Sequence, residues 1–158
     1  MSGRATIFCD MDGVLCDFVG QALKELNNRG CTHIEDSAAF NKAINDCQDI
    51  PEFYLNLAPI AGSIEGYHML ESKYDVYILS APSWDNPKSW GHKRIWVDRY
   101  LGDKAYKKLI LTHNKGHFKG RALIDDRIKY GVDQFDGEHI HFGTQKFPDW
   151  NSVIKHLM

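Results

Sequence analysis

Two aspartates two residues apart, with a glycine after them, are the first residues of this chain able to do chemistry. Asp10-Met11-Asp12-Gly13 stands directly after the short apolar run 5–9. A carboxylate fixed at the end of a strand can hold a divalent cation and attack phosphorus as a nucleophile. A second carboxylate in the turn beyond it can protonate a leaving oxygen and later take a proton from water. Gly13 allows a sharp turn of the backbone. The same residues also suit a plain turn in which each aspartate caps its own backbone, so the pair needs company.

That company stands where other apolar runs end. Run 76–79 leads into Ser80 and Ala81, and run 122–124 into Asp125 and Asp126; runs 109–111 and 140–142 end at Thr112 and Gly143. Ser80 offers a hydroxyl and a backbone N–H to a phosphate oxygen, Lys93 a compact positive charge, and the acid pair further carboxylates for a metal. Singly, each has an ordinary explanation: a turn residue before Pro82, a solvated lysine, a helix cap paired with Arg127. Together they are the set phosphoryl transfer requires, a nucleophile, a metal and cations around the equatorial oxygens.

The elements that would position them follow from the pattern. Short, nearly continuous apolar runs suit strands of a parallel sheet buried on both faces. Helical patterns lie between them. Ser63 is a candidate N-cap for a helix carrying Ile64, Tyr67 and Leu70. Asn86-Pro87 reads as N-cap and first turn of a helix that continues to Leu101 and stops at Gly102. On it Trp90, Lys93, Val97 and Leu101 share a face, which turns Lys93 toward the sheet. Asp149 caps a last helix with Val153, Ile154 and Leu157 inward. The expected fold is therefore α/β, a Rossmann-like doubly wound parallel sheet with right-handed crossovers. Residues 18–58 break the alternation with two helical patterns, 19–29 and 36–47, and Gly30 as a stop. The expected organisation is a catalytic core of residues 1–17 and 59–158 with a small helical cap, 18–58, over the carboxyl edge of the sheet, where ligands bind in such folds.

Composition bounds the rest. The 158 residues are 43% hydrophobic and 25% charged, the balance of one soluble globular domain rather than a disordered or disulfide-stapled chain. A net charge of −2 gives no basic footprint for nucleic acid as a polymer and leaves a nucleotide open. No run approaches the roughly 18 apolar residues that span a bilayer, and the first apolar stretch is too short for a secretion signal. Cys9, Cys16, Cys31 and Cys47 lack paired spacing and are expected to be reduced thiols in a cytoplasmic protein. The eight histidines show no zinc-like spacing, although His139 and His141 face one side of a strand. The tryptophans are expected as packing anchors or at the cap edge.

Asp10-Met11-Asp12-Gly13-Val14, Ser80, Lys93 and Asp125-Asp126 resemble, in order and spacing, the four signature motifs of the haloacid dehalogenase superfamily of phosphatases. Asp17-Phe18, Pro51-Glu52-Phe53-Tyr54, Leu57-Ala58-Pro59, Trp96-Val97 and Leu123-Ile124-Asp125-Asp126-Arg127 extend the resemblance to the 5′(3′)-deoxyribonucleotidases over nearly the whole chain. The resemblance implies Mg²⁺-dependent hydrolysis of (deoxy)nucleoside monophosphates through an aspartyl-phosphate. It makes Asp10 the nucleophile and Asp12 the acid/base, which also lends its backbone carbonyl to the metal; Asp126 is a metal ligand with Asp125 beside it. Ser80, Ala81, Lys93 and Lys115 fall to the phosphate, and Phe18, Phe53 and Tyr54 to the base pocket, where flat rings suit stacking. The implied partner is a small nucleotide, with no membrane and with a homodimer left open. Two departures stand out: Ala81 replaces a second hydroxyl residue, and His113-Asn114-Lys115 replaces Arg-Asp-Lys, losing the arginine's bidentate grip. Two other readings use the same residues: a phosphatase for another phosphomonoester such as a sugar phosphate, and a receiver-like phospho-acceptor module. Receivers place the acceptor mid-chain, whereas Asp10 follows the first apolar run.

Overall fold

β1 (Thr6–Cys9) is the centre of the molecule, and everything chemical is referred to its end. The computed structural model describes residues 3–31 and 33–158. β1 lies between β2 (Asp75–Ser80) and β4 (Lys119–Asp125), with β3 (Leu109–Leu111) and β5 (Asp136–His141) outside, in the order β3-β2-β1-β4-β5. All four pairings are parallel. Cys9 stands opposite Ile78 and Ile124 in the register. Asp10, Ser80 and Asp125 therefore leave the sheet at neighbouring heights along one edge.

The strands are apolar on both sides because both faces are covered. Ile7, Cys9, Ile78, Ala122, Ile124 and Ile140 pack with Tyr67, Leu70, Trp96, Val97, Leu101, Trp150, Val153 and Leu157. These come from α3 (Ser63–Lys73), α4 (Lys88–Leu101) and α5 (Trp150–Leu157). Phe8, Leu79 and Leu123, which alternate with them, meet Val132 and Phe135 in a smaller second cluster. The two largest buried side chains each find a partner for the indole N–H: Trp96 donates to Leu57 O at 2.8 Å and Trp150 to Val14 O at 2.8 Å.

Residues 18–58 contain α1 (Phe18–Asn28), α2 (Ser37–Asp46) and two short 3₁₀ turns. Asp17 caps α1 by accepting from Gly20 N–H at 3.0 Å, and Asp36 caps α2 by accepting from Ala39 N–H at 3.0 Å. The predicted stop at Gly30 is a left-handed residue at φ 73°, with Gly30 N–H bonded to Asn27 O and Cys31 N–H to Leu26 O. Both ends of the segment are tied together at the core, where Asp17 N–H donates to Ala58 O at 2.8 Å and Ile60 N–H to Leu15 O at 2.9 Å.

Two caps differ from their sequence-based assignment. Gly62, not Ser63, is the N-cap of α3, and Ser63 begins the helix with a buried hydroxyl that has no partner among the described residues. Asn86 does not cap α4. Its amide donates instead to Gln48 O at 2.9 Å and Ile50 O at 3.1 Å, binding the loop after β2 to the segment that follows α2. Ser83 adds to this tie by donating to Asp49 Oδ1 at 2.6 Å. An amide with two free donors satisfies two carbonyls there, which one end of a helix does not ask of it. The four cysteines are free, with Cys9, Cys16 and Cys47 buried and Cys31 exposed.

Trp150→Phe keeps most of the ring volume but leaves the buried Val14 carbonyl without its donor. The expected loss is about 1–3 kcal/mol of stability, read from the midpoint of urea unfolding at unchanged slope.

Candidate active site and metal centre

Asp10 follows β1 and is fixed on the backbone by its N–H bond to Ile124 O at 2.8 Å. Its carboxylate is buried, 7% exposed, and Oδ1 accepts from Lys115 Nζ at 2.9 Å. Lys115 is itself 3% exposed and donates at 2.6 Å to Asp125 Oδ2. Burial works against the lysine's charge, but Asp10 and Asp125 outweigh it and hold its pKa above the ordinary range. Asp125 Oδ1 accepts from Arg127 N–H at 3.0 Å.

Asp126 completes the cluster. Oxygens of Asp10, Asp125 and Asp126 all lie within 4.8 Å of one another, and Asp126 Oδ1 is buried with no hydrogen-bond partner among the described residues. Gly13 makes this approach feasible: at φ 79°, an added Cβ would come within 2.2 Å of Asp126 Oδ2. Burial, then the charge of Asp10, pushes both Asp125 and Asp126 above the usual carboxylate range. Three carboxylates so placed, one with an orphaned oxygen, fit a hard divalent cation with oxygen ligands. From behind, the stacked rings of His139 and His141 each donate Nε2–H to a backbone carbonyl of the pair, Asp125 O and Asp126 O, both at 3.0 Å.

Asp12 is held apart from this cluster. Its Oδ2 accepts from Lys93 Nζ at 3.0 Å and from the Tyr54 hydroxyl at 3.4 Å, and its Oδ1 from the Cys16 thiol at 3.4 Å. Lys93 is fully buried and also donates to Ser80 Oγ at 2.8 Å. Burial, reinforced by Asp12, raises the Tyr54 pKa far enough to keep its hydroxyl a donor. The two aspartates thus meet different surroundings, one under Lys115 among carboxylates and the other under Lys93 and a phenol.

A cavity of about 110 Å³ opens over these groups. Asp10, Asp12, Lys115, Asp125 and Asp126 line its depth, together with Ala81 and Phe18. Ser80 and Lys93 stand one layer behind, against Asp12. Phe53 and Tyr54 are 0% and 1% exposed; Phe53 packs edge-on against Phe18 at 4.9 Å between centroids, and Tyr54 edge-on against Phe53 at 5.3 Å. Phe18 alone of the three rings lines the cavity. Sequence reasoning missed Asn45, Gln48, Lys129 and Tyr130, which also line it, and gave Arg127 only a pairing role. None carries a spacing signal; a polar position just past a helix end, as at Gln48, is indistinguishable from surface. His113 is not among the lining residues and donates Nε2–H to Pro82 O at 2.9 Å.

The family profile described as "5′ nucleotidase, deoxy (pyrimidine), cytosolic type C protein (NT5C)" matches residues 4–151. A candidate 5′(3′)-deoxyribonucleotidase of Vibrio phage KVP40 is 44% identical over 154 residues, 98% of this chain and 85% of the phage protein. The human 5′(3′)-deoxyribonucleotidase of cytosolic type is 28% identical over 173 residues, 98% of this chain and 81% of the human one. A solved haloacid dehalogenase-like hydrolase from Xanthomonas campestris shares the fold at TM-score 0.55 and 14% identity, over 98% of this chain and 96% of that one.

The raised carboxyl pKa values set the sign of a pH effect. Without a cation, the folded state holds protons that the unfolded chain releases, so these two groups cost stability as pH rises past the ordinary carboxylate range. A bound cation displaces those protons. An added divalent cation should therefore raise the thermal midpoint more at pH 8 than at pH 6, and Asp126→Asn should remove most of the shift.

Proposed function

The chain belongs to the family of 5′ nucleotidases, deoxy (pyrimidine), cytosolic type C, and on that premise we propose that it hydrolyses the phosphomonoester of (deoxy)nucleoside monophosphates through an aspartyl-phosphate on Asp10, with Mg²⁺ as cofactor. One observation carries the reading: two neighbouring aspartates at the end of β1 are held by two different buried lysines, Lys115 on Asp10 and Lys93 on Asp12. Lys115 thereby holds one carboxylate among other acids, and Lys93 positions the other for proton transfer.

In this reading Asp10 Oδ attacks phosphorus and the ester bond to the leaving oxygen breaks. Asp12 gives its proton to that oxygen, then takes one from the water that cleaves the acyl phosphate. Lys115 holds Asp10 in place and faces the phosphate oxygens from the cavity wall. Ala81 forms the phosphate's other side, and Ser80 and Lys93 stand buried behind it, with Lys93 orienting Asp12. Asp10, Asp126 and Asp125 would hold Mg²⁺, with the Asp12 carbonyl, and the ion supplies positive charge to the phosphate oxygens. Phe18 forms an apolar wall for the nucleoside, backed by Phe53 and Tyr54.

Residues 18–58 act as the cap over a core of 1–17 and 59–158 and exclude water from the loaded site. Free thiols at all four cysteines and no helix, among the described residues, long and apolar enough to cross a membrane fit a cytoplasmic enzyme. The ring-lined wall and the family favour a nucleotide over a sugar phosphate, and a separately oriented Asp12 favours turnover over a receiver-like store of phosphate.

Asp10→Asn should abolish Mg²⁺-dependent phosphate release from dTMP or dUMP, and Asp12→Asn should reduce it about 10²–10⁴-fold. Wild-type turnover in Asp10→Asn would overturn the nucleophile assignment. Phe18→Ala should lower kcat/KM for dTMP several-fold more than for p-nitrophenyl phosphate, because only the nucleoside meets the ring; equal losses would count against the base pocket.

A further inference from the structure

The rim of the cavity between the ends of β2 and β4 carries rings and cations for which the reaction at Asp10 has no use. Tyr130 lines the cavity, is 44% exposed, and has φ 58°. That left-handed value is strained for a residue with a side chain, and such strain gathers where a ligand is handled. Its backbone is held there by the Lys115 N–H, which donates to Tyr130 O. The His113 ring stands 6.0 Å from Tyr130, and the Trp84 and Trp90 rings stand 5.9 and 5.7 Å from His113. Trp84 is 75% exposed. The series thus leads from the cavity mouth into solvent and ends on a bare indole. A ring left that exposed adds little to folding, and large exposed aromatics beside a cavity mark binding surfaces.

The cations supply a second, independent observation. Arg127 and Lys129 both line the mouth. Among the described residues neither forms an ion pair; Arg127 reaches the neutral Asn45 Oδ1 at 3.3 Å. A mononucleotide brings one phosphate, to which Asp10 and Lys115 are committed in the nucleotidase reading. Two cations at the rim, with unoccupied ring faces just outside, call for a second phosphate and a second base.

We propose that this rim binds a second nucleotide unit, so that the substrate class includes dinucleotides ending in a phosphomonoester. Arg127 and Lys129 take the internucleotide phosphodiester, and the second base stacks on the Tyr130, His113 and Trp84 surface. The proposal rests on the nucleotidase reading and uses the same chemistry. Asp10 forms the new bond to the terminal phosphorus, the ester bond breaks, and the proton on Asp12 goes to the leaving oxygen. Water then releases inorganic phosphate. The other product is a dinucleoside monophosphate with a free terminal hydroxyl and an intact phosphodiester. A net charge of −2 does not oppose this, since two local cations suffice for one diester.

The test measures binding, so that it does not depend on turnover. Asp10→Asn protein with Mg²⁺ is titrated calorimetrically with dTMP and with dithymidylate phosphorylated at its 5′ or its 3′ end. One of the two dinucleotides should bind about tenfold tighter than dTMP, the worth of one stacked base. Trp84→Ala added to this background should erase the advantage and leave dTMP binding unchanged. Equal affinities for dTMP and both dinucleotides would overturn the proposal, and so would an advantage that survives Trp84→Ala. Hydrolysis of dTMP by the wild type is followed separately. Tight, Trp84-dependent dinucleotide binding by a chain that leaves dTMP intact would refute the nucleotidase reading and uphold the second site.

Discussion

Crowding of like charge at one sheet edge governs this molecule. Asp10, Asp125 and Asp126 are forced together by a parallel register that the apolar strands impose, and Asp10 and Asp125 are buried there. Lys115 is the protein's own answer: one buried ammonium shared by Asp10 and Asp125. It leaves Asp126 Oδ1 without a partner. An arrangement that costs the empty protein stability is what gives a cation its affinity, because binding removes repulsion that folding could not. The glycine at 13, the bond from Asp10 N–H into β4 and the two histidines behind the acid pair all hold carboxylates where they would otherwise repel one another apart.

The second lysine shows how one sheet edge keeps two acids in different surroundings. Lys93 comes from α4, on the other side of β1 from Lys115, and it reaches Asp12 and Ser80 without surfacing in the cavity. The division between Asp10 and Asp12 is therefore set by which element supplies each cation. A parallel sheet with its crossovers on one edge delivers such residues from distant parts of the chain to one place.

Much of this was legible in the sequence because parallel strands announce themselves twice, by an apolar run and by the polar residue that ends it. Asp10, Ser80 and Asp125 were found that way, and the capping Asp149 by the ordinary chemistry of helix starts, whereas the caps at Asp17 and Asp36 emerged only from the structure. What stayed hidden depends on direction, which spacing does not encode. Nothing in a string distinguishes Phe18, which faces the cavity, from Phe53 and Tyr54, which stand behind it. Asn86 reads as a helix cap until the two carbonyls of Gln48 and Ile50 are seen within its reach. Tyr130, Arg127 and Lys129 follow the acid pair in a loop whose course is set by tertiary contacts, the Lys115 N–H among them.

The helical hairpin of α1 and α2 is anchored at both roots: Asp17 bonds to Ala58 where it leaves and returns, and Asn86 with Ser83 grips the stretch after α2. Among the described residues, its far turn has no such fastening to the sheet. Length changes at that turn would leave both roots, and thus the acids beneath, undisturbed. Insertions or deletions can therefore lengthen or shorten the hairpin while the sheet edge at its roots keeps its geometry.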